Sequence, residues 1–223
     1  MRDRPITKLI EKRAPGRPYD RQSTDLEMIQ RSVVKEFAKQ GYGGVSLNAL
    51  AKKVGVADSL LHYHFGSKLE LWKSCMELLG SEISEKFQNL KMLSSDLEGI
   101  ARIKLFNKQL VYISAEYPEF QQIVVQEVFS ESERSTWLIS NLLKPIYHYF
   151  EEVLRDEQSK GTIKNIPPAN LTSFIVGSIT TLFSRSYQMK KLYDIDAFCE
   201  EEIERHADLM NDLIIEGLRL PKS

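Results

Sequence analysis

Residues 46–68 constrain the fold of this chain more than any other stretch, because they place two short amphipathic segments on either side of a glycine. Ser46 is of the residue type that caps a helix N-terminus, and Gly55 is of the type that ends a helix with a positive φ. Between them, apolar residues at helical spacing form one face: Leu47, Leu50, Ala51 and Val54. A second segment follows the turn, from about Asp58 to His64. Two short helices around a tight turn form a helix-turn-helix, whose second helix can enter a DNA major groove.

The residues around this motif agree in type and spacing with one known family over residues 24–72. The matching positions are Val33, Val34, Lys35, Glu36, Phe37, Gly41, Tyr42, Ser46, Leu50, Ala51, Gly55, Val56, Leu61, Tyr63, His64, Phe65, Ser67 and Lys68. At these positions the chain resembles the TetR (tetracycline-repressor-like) family of bacterial transcription regulators. The resemblance implies an all-α fold, in which an N-terminal three-helix DNA-binding domain with a helix-turn-helix precedes a larger helical regulatory and dimerisation domain. Two positions depart from the family pattern: Ala57 replaces the hydroxyl residue that usually caps the recognition helix, and His62 replaces a tyrosine.

The charge of the chain is unevenly distributed. Residues 1–72 contain 13 Lys and Arg against 8 Asp and Glu, whereas residues 73–223 contain 17 against 23. This asymmetry indicates that the N-terminal part of the chain binds a polyanion and that the C-terminal part has another role.

Residues 1–23 are predicted to form a flexible basic arm, because they combine many Arg and Lys with prolines and show no periodicity. Within it, the sequence Pro15-Gly16-Arg17-Pro18 resembles the core of an AT-hook. In such a motif, Arg17 would lie along a narrow minor groove. The alternative is an arm that only adds nonspecific attraction to phosphates.

From about residue 96 onward, the hydrophobic pattern predicts helices alone. The predicted segments are 97–115, 119–129, 133–160, 168–190 and 197–219. Pro145 predicts that the third segment starts late or kinks. We therefore expect a DNA-binding domain in residues 24–72 and a helical ligand-binding and dimerisation domain in residues 73–223.

The last two predicted helices are apolar on more than one face, so each needs a second neighbour. That neighbour could be another part of the same chain. The resemblance implies instead that these helices pair with their copies in the four-helix bundle of a symmetric homodimer. Gly177 and Ser178 would permit a close approach there.

Four side chains of the second short helix are candidates for base contacts in the major groove. Ser59 can bond to a donor or an acceptor edge, Leu60 can pack on a thymine methyl group, and His62 can donate to guanine. Asp58 either accepts a hydrogen bond from a cytosine amine or compensates, as a charge at the helix N-terminus, for the cap missing at Ala57.

The candidates for phosphate contacts need only a donor near the DNA backbone, and the family motif matches at their positions. They are Ser46 and Asn48 at the start of the first short helix, Tyr63 and His64 at the end of the second, and Lys68 at the start of the next helix. Of these, Lys68 is the strongest candidate.

The second half of the chain mixes aromatic and polar side chains in a way that is typical of an apolar cavity with a few orienting groups. Tyr112, Trp137 and His148 are the candidates for contacts to a small molecule. An ordinary helical core has the same composition, and for any single residue the core interpretation is favoured.

Patterns of catalysis are missing from the sequence. No Gly-x-Ser-x-Gly, phosphate-binding glycine loop or His-Glu-x-x-His is present, so we expect no enzymatic activity and no cofactor. His62 and His64 would point to different sides of a helix, which argues against a metal site. Cys75 and Cys199 match no metal spacing and favour a reducing compartment. No apolar run is long enough to span a membrane.

Together these observations predict a cytoplasmic, homodimeric transcription regulator that binds a palindromic operator in double-stranded DNA. Most proteins that the chain resembles are repressors, so we expect a repressor that a small-molecule effector releases from its operator. The alternative is a DNA-binding regulator without such an inducer, controlled by a protein partner.

Overall fold

The computed structural model describes residues 21–94 and 96–220, and all regular secondary structure in these ranges is helical. The predicted all-α fold is therefore confirmed. The first helix begins at Arg21, inside the stretch predicted to be an arm, while Arg17 and the rest of residues 1–20 lie outside the described residues.

The α-helices follow one another along the whole described chain. They are α1 (Arg21–Gln40), α2 (Leu47–Val54), α3 (Asp58–Phe65), α4 (Lys68–Leu93), α5 (Gly99–Glu116), α6 (Pro118–Glu127), α7 (Glu133–Leu138), α8 (Lys144–Ser159), α9 (Pro168–Ser184), α10 (Ser186–Tyr193) and α11 (Glu200–Leu218). A π-helical turn, Ile139–Leu143, lies between α7 and α8.

The helices divide into two compact units. Among the described residues, unit 1 contains those before Ser84 together with Gln122–Pro145, and unit 2 contains those from Ser84 to Gln121 together with those from Ile146 onward. Helices α4, α6 and α8 therefore contribute residues to both units. The predicted domain division at residue 73 stays a prediction.

The core of unit 1 lies beneath the helix-turn-helix. Val33 and Phe37 of α1 are fully buried, as are Leu50 of α2, Leu61 of α3 and Trp72 of α4. Burying a large apolar side chain stabilises a fold by about 1.5–3 kcal/mol, so these residues bind the two short helices firmly to α1 and α4.

The helix predicted for residues 133–160 is interrupted near Pro145. Because proline has no N–H, the carbonyl of Asn141 loses its α-helical partner, and the chain widens into the π turn, where Lys144 donates to Ile139. The Asn141 side chain donates to the carbonyl oxygen of Trp137, in α7, at 2.7 Å and so gives that carbonyl group a hydrogen-bond partner. Regular helix then restarts beside the proline, as the sequence predicts.

The helix predicted for residues 168–190 is instead two helices, so this prediction was wrong. The break lies at Arg185, with φ −113° and ψ 24°. Just before it, the hydroxyls of Thr181 and Ser184 donate to carbonyl oxygens of their own helix, the first of them to Gly177 at 2.5 Å. Such bonds compete with the regular backbone ladder and weaken the end of a helix.

In unit 2, α5 packs against both α9 and α11. A buried amide pair joins two of these helices, since Asn107 Nδ2 donates to Asn211 Oδ1 at 3.1 Å. Asn211 Nδ2 in turn donates to the carbonyl oxygen of Lys104 at 3.3 Å. A buried polar pair of this kind has few alternative partners, so it favours one alignment of α5 against α11.

A carboxylate from α8 caps the start of α5. Glu98, at the N-cap position, makes no side-chain cap bond, whereas Glu157 Oε2 accepts a hydrogen bond from the Gly99 N–H at 2.8 Å. Thr162 Oγ1 donates to the same oxygen at 2.8 Å. Glu157 is fully buried, and the guanidinium of Arg102 lies 3.9 Å from its other oxygen.

Across residues 21–94 and 96–220, the structure contains no helix with both the length and the apolar character needed to cross a membrane.

Candidate nucleic-acid interface

Helix α2 begins and ends at the residues that its sequence predicts. Ser46 Oγ accepts a hydrogen bond from the Ala49 N–H at 3.2 Å, and this cap is confirmed. At the other end, Gly55 has φ 77° and donates to the carbonyl oxygen of Ala51. Val56 donates to the same oxygen at 3.0 Å, so the chain leaves α2 through a tight turn and enters α3.

Helix α3 turns most of its side chains outward. Leu61 is its buried residue and anchors the helix on the core. The exposed side chains of α3 are Ser59, Leu60, His62, Tyr63 and His64. Tyr63 is 83% exposed, although an aromatic ring ordinarily favours burial. The outward face of α3 is therefore free to meet another molecule.

Asp58, at the first position of α3, has partners within the protein on both sides of the turn. The Asn48 amide faces the Asp58 carboxylate, and with its nitrogen on that side it donates to both oxygens, at 2.5 and 2.6 Å. His62 Nε2 lies 3.7 Å from Asp58 Oδ2, and His62 Nδ1 lies 3.2 Å from the carbonyl oxygen of Gly66. Three predicted DNA contacts thus form one linked group, which we call the Asn48–Asp58–His62 group.

Lys68, at the start of α4, holds the turn between α1 and α2. Its Nζ donates to the carbonyl oxygens of Tyr42 at 3.0 Å and Val45 at 2.9 Å. The same Nζ lies 4.1 Å from the centroid of the Tyr42 ring. Because an ammonium group has three donors and two are used here, one N–H of Lys68 is left for a phosphate. The predicted phosphate contact of Lys68 stays a prediction.

Tyr42 is a residue of this region that the sequence analysis did not single out as functional. Burial raises the pKa of its hydroxyl, and Arg134 of α7 acts in the opposite direction. The hydroxyl therefore stays protonated at neutral pH. Tyr42 and Arg134 are far apart in sequence and no spacing rule connects them, so only the structure reveals their contact.

The candidate ligand residue Tyr112 links α5 to α11 in unit 2. Its hydroxyl donates to Glu204, and Lys108 Nζ donates to the other oxygen of that carboxylate at 3.1 Å. Burial raises the pKa of Tyr112, and the hydrogen bond to Glu204 acts in the same direction. The hydroxyl of Tyr112 thus already has a protein partner.

The other two candidate ligand residues lie in different units. Trp137 belongs to unit 1, where its ring packs edge-on against Trp72 with a centroid distance of 5.8 Å. His148 is an exposed residue of α8 in unit 2. The contribution of Tyr112, Trp137 and His148 to a ligand site stays a prediction.

Over the described ranges 21–94 and 96–220, no cluster of three or more acidic, His or Cys side chains could hold a metal ion. Cys75 is buried and Cys199 is exposed, and both are free thiols.

Two protein-family models match the chain. The family described as bacterial regulatory proteins, tetR family, matches residues 33–75, which include α2 and α3. The tetracyclin repressor-like C-terminal domain matches residues 101–214, about half of the chain. The chain belongs to the TetR family. This TetR-family protein is a DNA-binding transcription regulator with a helix-turn-helix, as predicted, and members of the family are transcription factors rather than enzymes.

The proteins that are similar to this chain carry names that denote different roles. The nucleoid occlusion factor SlmA of Aliivibrio fischeri is 24% identical over 161 residues, which cover 71% of this chain and 81% of SlmA. A putative fatty acid metabolism regulator of Clostridium perfringens superposes with a TM-score of 0.69 at 21% identity, covering 86% of this chain and 99% of that one. The transcriptional regulator FadR from Bacillus subtilis, solved in complex with stearoyl-CoA, gives 0.66 at 18% identity, covering 85% and 97%. At these identities the two structures show a shared fold alone.

Proposed function

We propose that this TetR-family protein is a homodimeric repressor, that α3 of each protomer enters the major groove of a palindromic operator, and that a small-molecule effector releases the complex. The observation that carries the proposal is the outward face of α3. Its side chains are exposed while Leu61 alone of this helix is buried, so a rigid helix offers polar and apolar groups to a groove.

The proposed DNA contacts follow from this placement. The base contacts are Asp58, Ser59, Leu60 and His62; the phosphate contacts are Ser46, Asn48, Tyr63, His64 and Lys68; and Arg17 would lie in the minor groove. Asn48 and Asp58 bond to each other in the free protein, so both must exchange that bond when they bind DNA.

Uncovered apolar faces on α9 and α11 support the homodimer. Phe174 of α9 is 62% exposed and Leu213 of α11 is 60% exposed. A methyl group added at Gly177, one turn from Phe174, would meet no atom within 4 Å. Large exposed apolar side chains beside open space fit the interface of a symmetric dimer, where each face packs against its copy.

A dimer gives the operator its symmetry. Two recognition helices enter successive major grooves on one face of B-DNA when they are about 34–36 Å apart. The half-sites of the operator should therefore be centred one helical turn apart. An effector that changes this separation releases the DNA, and a change from mostly bound to mostly free requires a preference of about 5.5 kcal/mol for the released form.

Two similar proteins point to a first class of effector to test. FadR from Bacillus subtilis was solved with stearoyl-CoA, and a similar Clostridium perfringens protein is named as a fatty acid metabolism regulator. We therefore propose a long-chain acyl compound as the effector, bound in unit 2 with Tyr112 and His148 among its neighbours.

The operator and the dimer are tested with the full-length protein and a random duplex library. We expect selection to yield an inverted repeat, and sedimentation to show a dimer. Leu213→Glu should yield monomers that bind the selected duplex at least tenfold more weakly, since a charge at the interface opposes pairing. Phe129→Glu, a change at an exposed aromatic residue of unit 1, is the matched control. A wild-type monomer without sequence preference would refute the proposed function.

Base contact by His62 is tested by repeating the selection with His62→Ala. We expect a different preferred base at one symmetric pair of positions, because a base-specific hydrogen bond contributes about 1–3 kcal/mol of discrimination. An unchanged consensus sequence would remove His62 from the base contacts.

Effector control is tested by adding stearoyl-CoA to the complex with the selected duplex, with unacylated CoA as the control. We expect the acylated compound alone to release the DNA. If the complex withstands it, long-chain acyl-CoA is excluded as the effector, and a co-purifying protein becomes the controlling partner to seek.

A further inference from the structure

The turn between α1 and α2 contains an aromatic ring with two cations over it. Lys68 Nζ lies 4.1 Å from the centroid of the Tyr42 ring, and the guanidinium carbon of Arg134 lies 3.9 Å from the same centroid. Both distances are within the range of cation–π attraction. Lys68 belongs to α4 and Arg134 to α7, so Tyr42 joins three separate parts of unit 1.

The guanidinium of Arg134 is held on its other side by a buried carboxylate. Its Nε lies 3.1 Å from each carboxylate oxygen of Glu127, which is only 4% exposed. A planar guanidinium can contact a ring with its face while it donates hydrogen bonds from its edge. Glu127 therefore fixes Arg134 in the position where it covers Tyr42.

A second hydrogen bond joins the end of α6, where Gln126 and Glu127 lie, to the end of α1. Gln126 Nε2 donates to the carbonyl oxygen of Ala38 at 2.7 Å, in the last turn of α1. Carbonyl groups in this turn lack helical partners, so an external donor fixes the point at which the chain leaves the helix. Two neighbouring residues, Gln126 and Glu127, thus control the exit from α1, one directly and one through Arg134.

The other side of this joint determines where α2 begins. Lys68 Nζ donates to the carbonyl oxygens of Tyr42 and Val45, and Val45 directly precedes Ser46, the residue that caps α2. Only three residues separate Tyr42 from Ser46, so the position of the Tyr42 turn determines where α2 begins.

We propose that Arg134 is a positioning residue for DNA binding: through Tyr42 it fixes the turn from which α2 starts, and so presents α2 and α3 to DNA in one orientation. Arg134 itself makes no contact with DNA in this account. The proposal rests on operator binding by α3. A wild-type protein that selects no duplex would refute that function before any Arg134 variant is compared, so the two failures are distinguishable.

The test uses the full-length protein, the duplex selected by the wild type and a random-sequence duplex, each titrated at several salt concentrations. Arg134→Ala should lower affinity for the selected duplex about tenfold, because losing an orientation costs specific contacts. The slope of log affinity against log salt should stay unchanged, since no phosphate contact is lost. Arg155→Ala, at an exposed arginine of α8 paired with Glu151, should bind as the wild type does.

Variants at the partner residue separate positioning from general stability. Tyr42→Phe keeps the ring and should keep the affinity, whereas Tyr42→Leu should lose about as much as Arg134→Ala. Because both changes break one joint, the double variant should lose little more than either single variant. All affinities are calculated per folded molecule, from the fraction of protein that binds duplex at saturation.

Three results would overturn the proposal. A salt slope lower by about one unit in Arg134→Ala would make Arg134 a direct phosphate contact. Additive losses from Tyr42→Leu and Arg134→Ala would show that they act independently. Unchanged affinity per folded molecule, with a lower thermal midpoint, would leave Arg134 a structural role alone.

Discussion

The recognition helix lacks a side-chain cap, and restoring one should stabilise the protein. Ala57 occupies the N-cap position of α3 with φ −69° and ψ 139°, and its methyl group accepts no hydrogen bond. This extended backbone conformation is the one that serine adopts as a cap, so Ala57→Ser introduces no strain. The new hydroxyl would accept from the N–H of Ser59 or Leu60.

The size of the gain follows from the bonds already present. Exchange between serine and alanine at an N-cap changes stability by about 1 kcal/mol, within a range of about 0.5–2 kcal/mol. The Leu60 N–H already donates to the Ala57 carbonyl oxygen at 3.0 Å, so one of the two N–H groups that the new hydroxyl could satisfy already has an acceptor. We therefore expect a gain of about 0.5–1 kcal/mol. Affinity for the selected duplex should rise about fivefold at most for each of the two recognition helices, even if all of this energy orders α3 for binding.

Urea unfolding at one fixed protein concentration measures the gain, because the stability of a dimer depends on concentration. Ser46→Ala, which removes the existing cap of α2, should shift the free energy of unfolding by a similar amount in the opposite direction. Ala49→Ser, at an exposed position inside α2, is the control for the hydroxyl itself and should be slightly destabilising. If Ala57→Ser leaves the stability unchanged or lowers it, then α3 does not need the cap that its backbone geometry implies.

Four further predictions concern other parts of the molecule. Lys68→Ala should weaken binding to random and selected duplexes and lower the salt slope by about one unit; weaker binding with an unchanged slope would restrict Lys68 to holding the Tyr42 turn. Glu157→Ala should lower the free energy of unfolding by about 3 kcal/mol in urea, because two partly buried donors lose a charged acceptor, and a loss below about 1 kcal/mol would contradict this expectation. Burial lowers the pKa of His206, so the unfolded chain binds its proton first and stability should decrease as pH falls below about 6.5. The decrease in stability should be smaller in His206→Gln. If both proteins lose stability equally as the pH falls, other groups are responsible for the decrease. Iodoacetamide should label Cys199 and not Cys75 in the folded protein, since Cys75 is buried and its burial raises the pKa of the thiol; prompt labelling of both would show that the core opens.

Local signals made the helix-turn-helix predictable. The cap at Ser46 and the turn at Gly55 each act over a few residues, and both lie where the sequence indicates. The same holds for Pro145, whose missing N–H interrupts the helix ladder wherever the rest of the chain lies. The break at Arg185 escaped prediction because hydroxyl groups bond to their own helix there, and no proline or glycine marks the position.

The partners of the candidate site residues were not predictable, because they depend on which groups the fold brings together. Lys68 resembles a free phosphate ligand in the sequence, but two carbonyl groups from the preceding turn already accept from it. The sequence predicts Asp58 as a base contact or as a helix-terminal charge, and its bond with Asn48 adds a third role. A donor or acceptor can be recognised by its residue type, whereas its availability depends on tertiary structure.

If its residues contact bases as proposed, the Asn48–Asp58–His62 group would give the protein a means of rejecting incorrect DNA. In the free protein the carboxylate and the amide satisfy each other, so the group gains little from meeting water or a random duplex. At a base pair with the wrong edge, opening the group would leave an anion without a donor against the negative phosphates. At the right base pair, one set of bonds replaces another. Specificity at this position would then come from the free-energy cost of binding a wrong base pair rather than from high affinity for the right one.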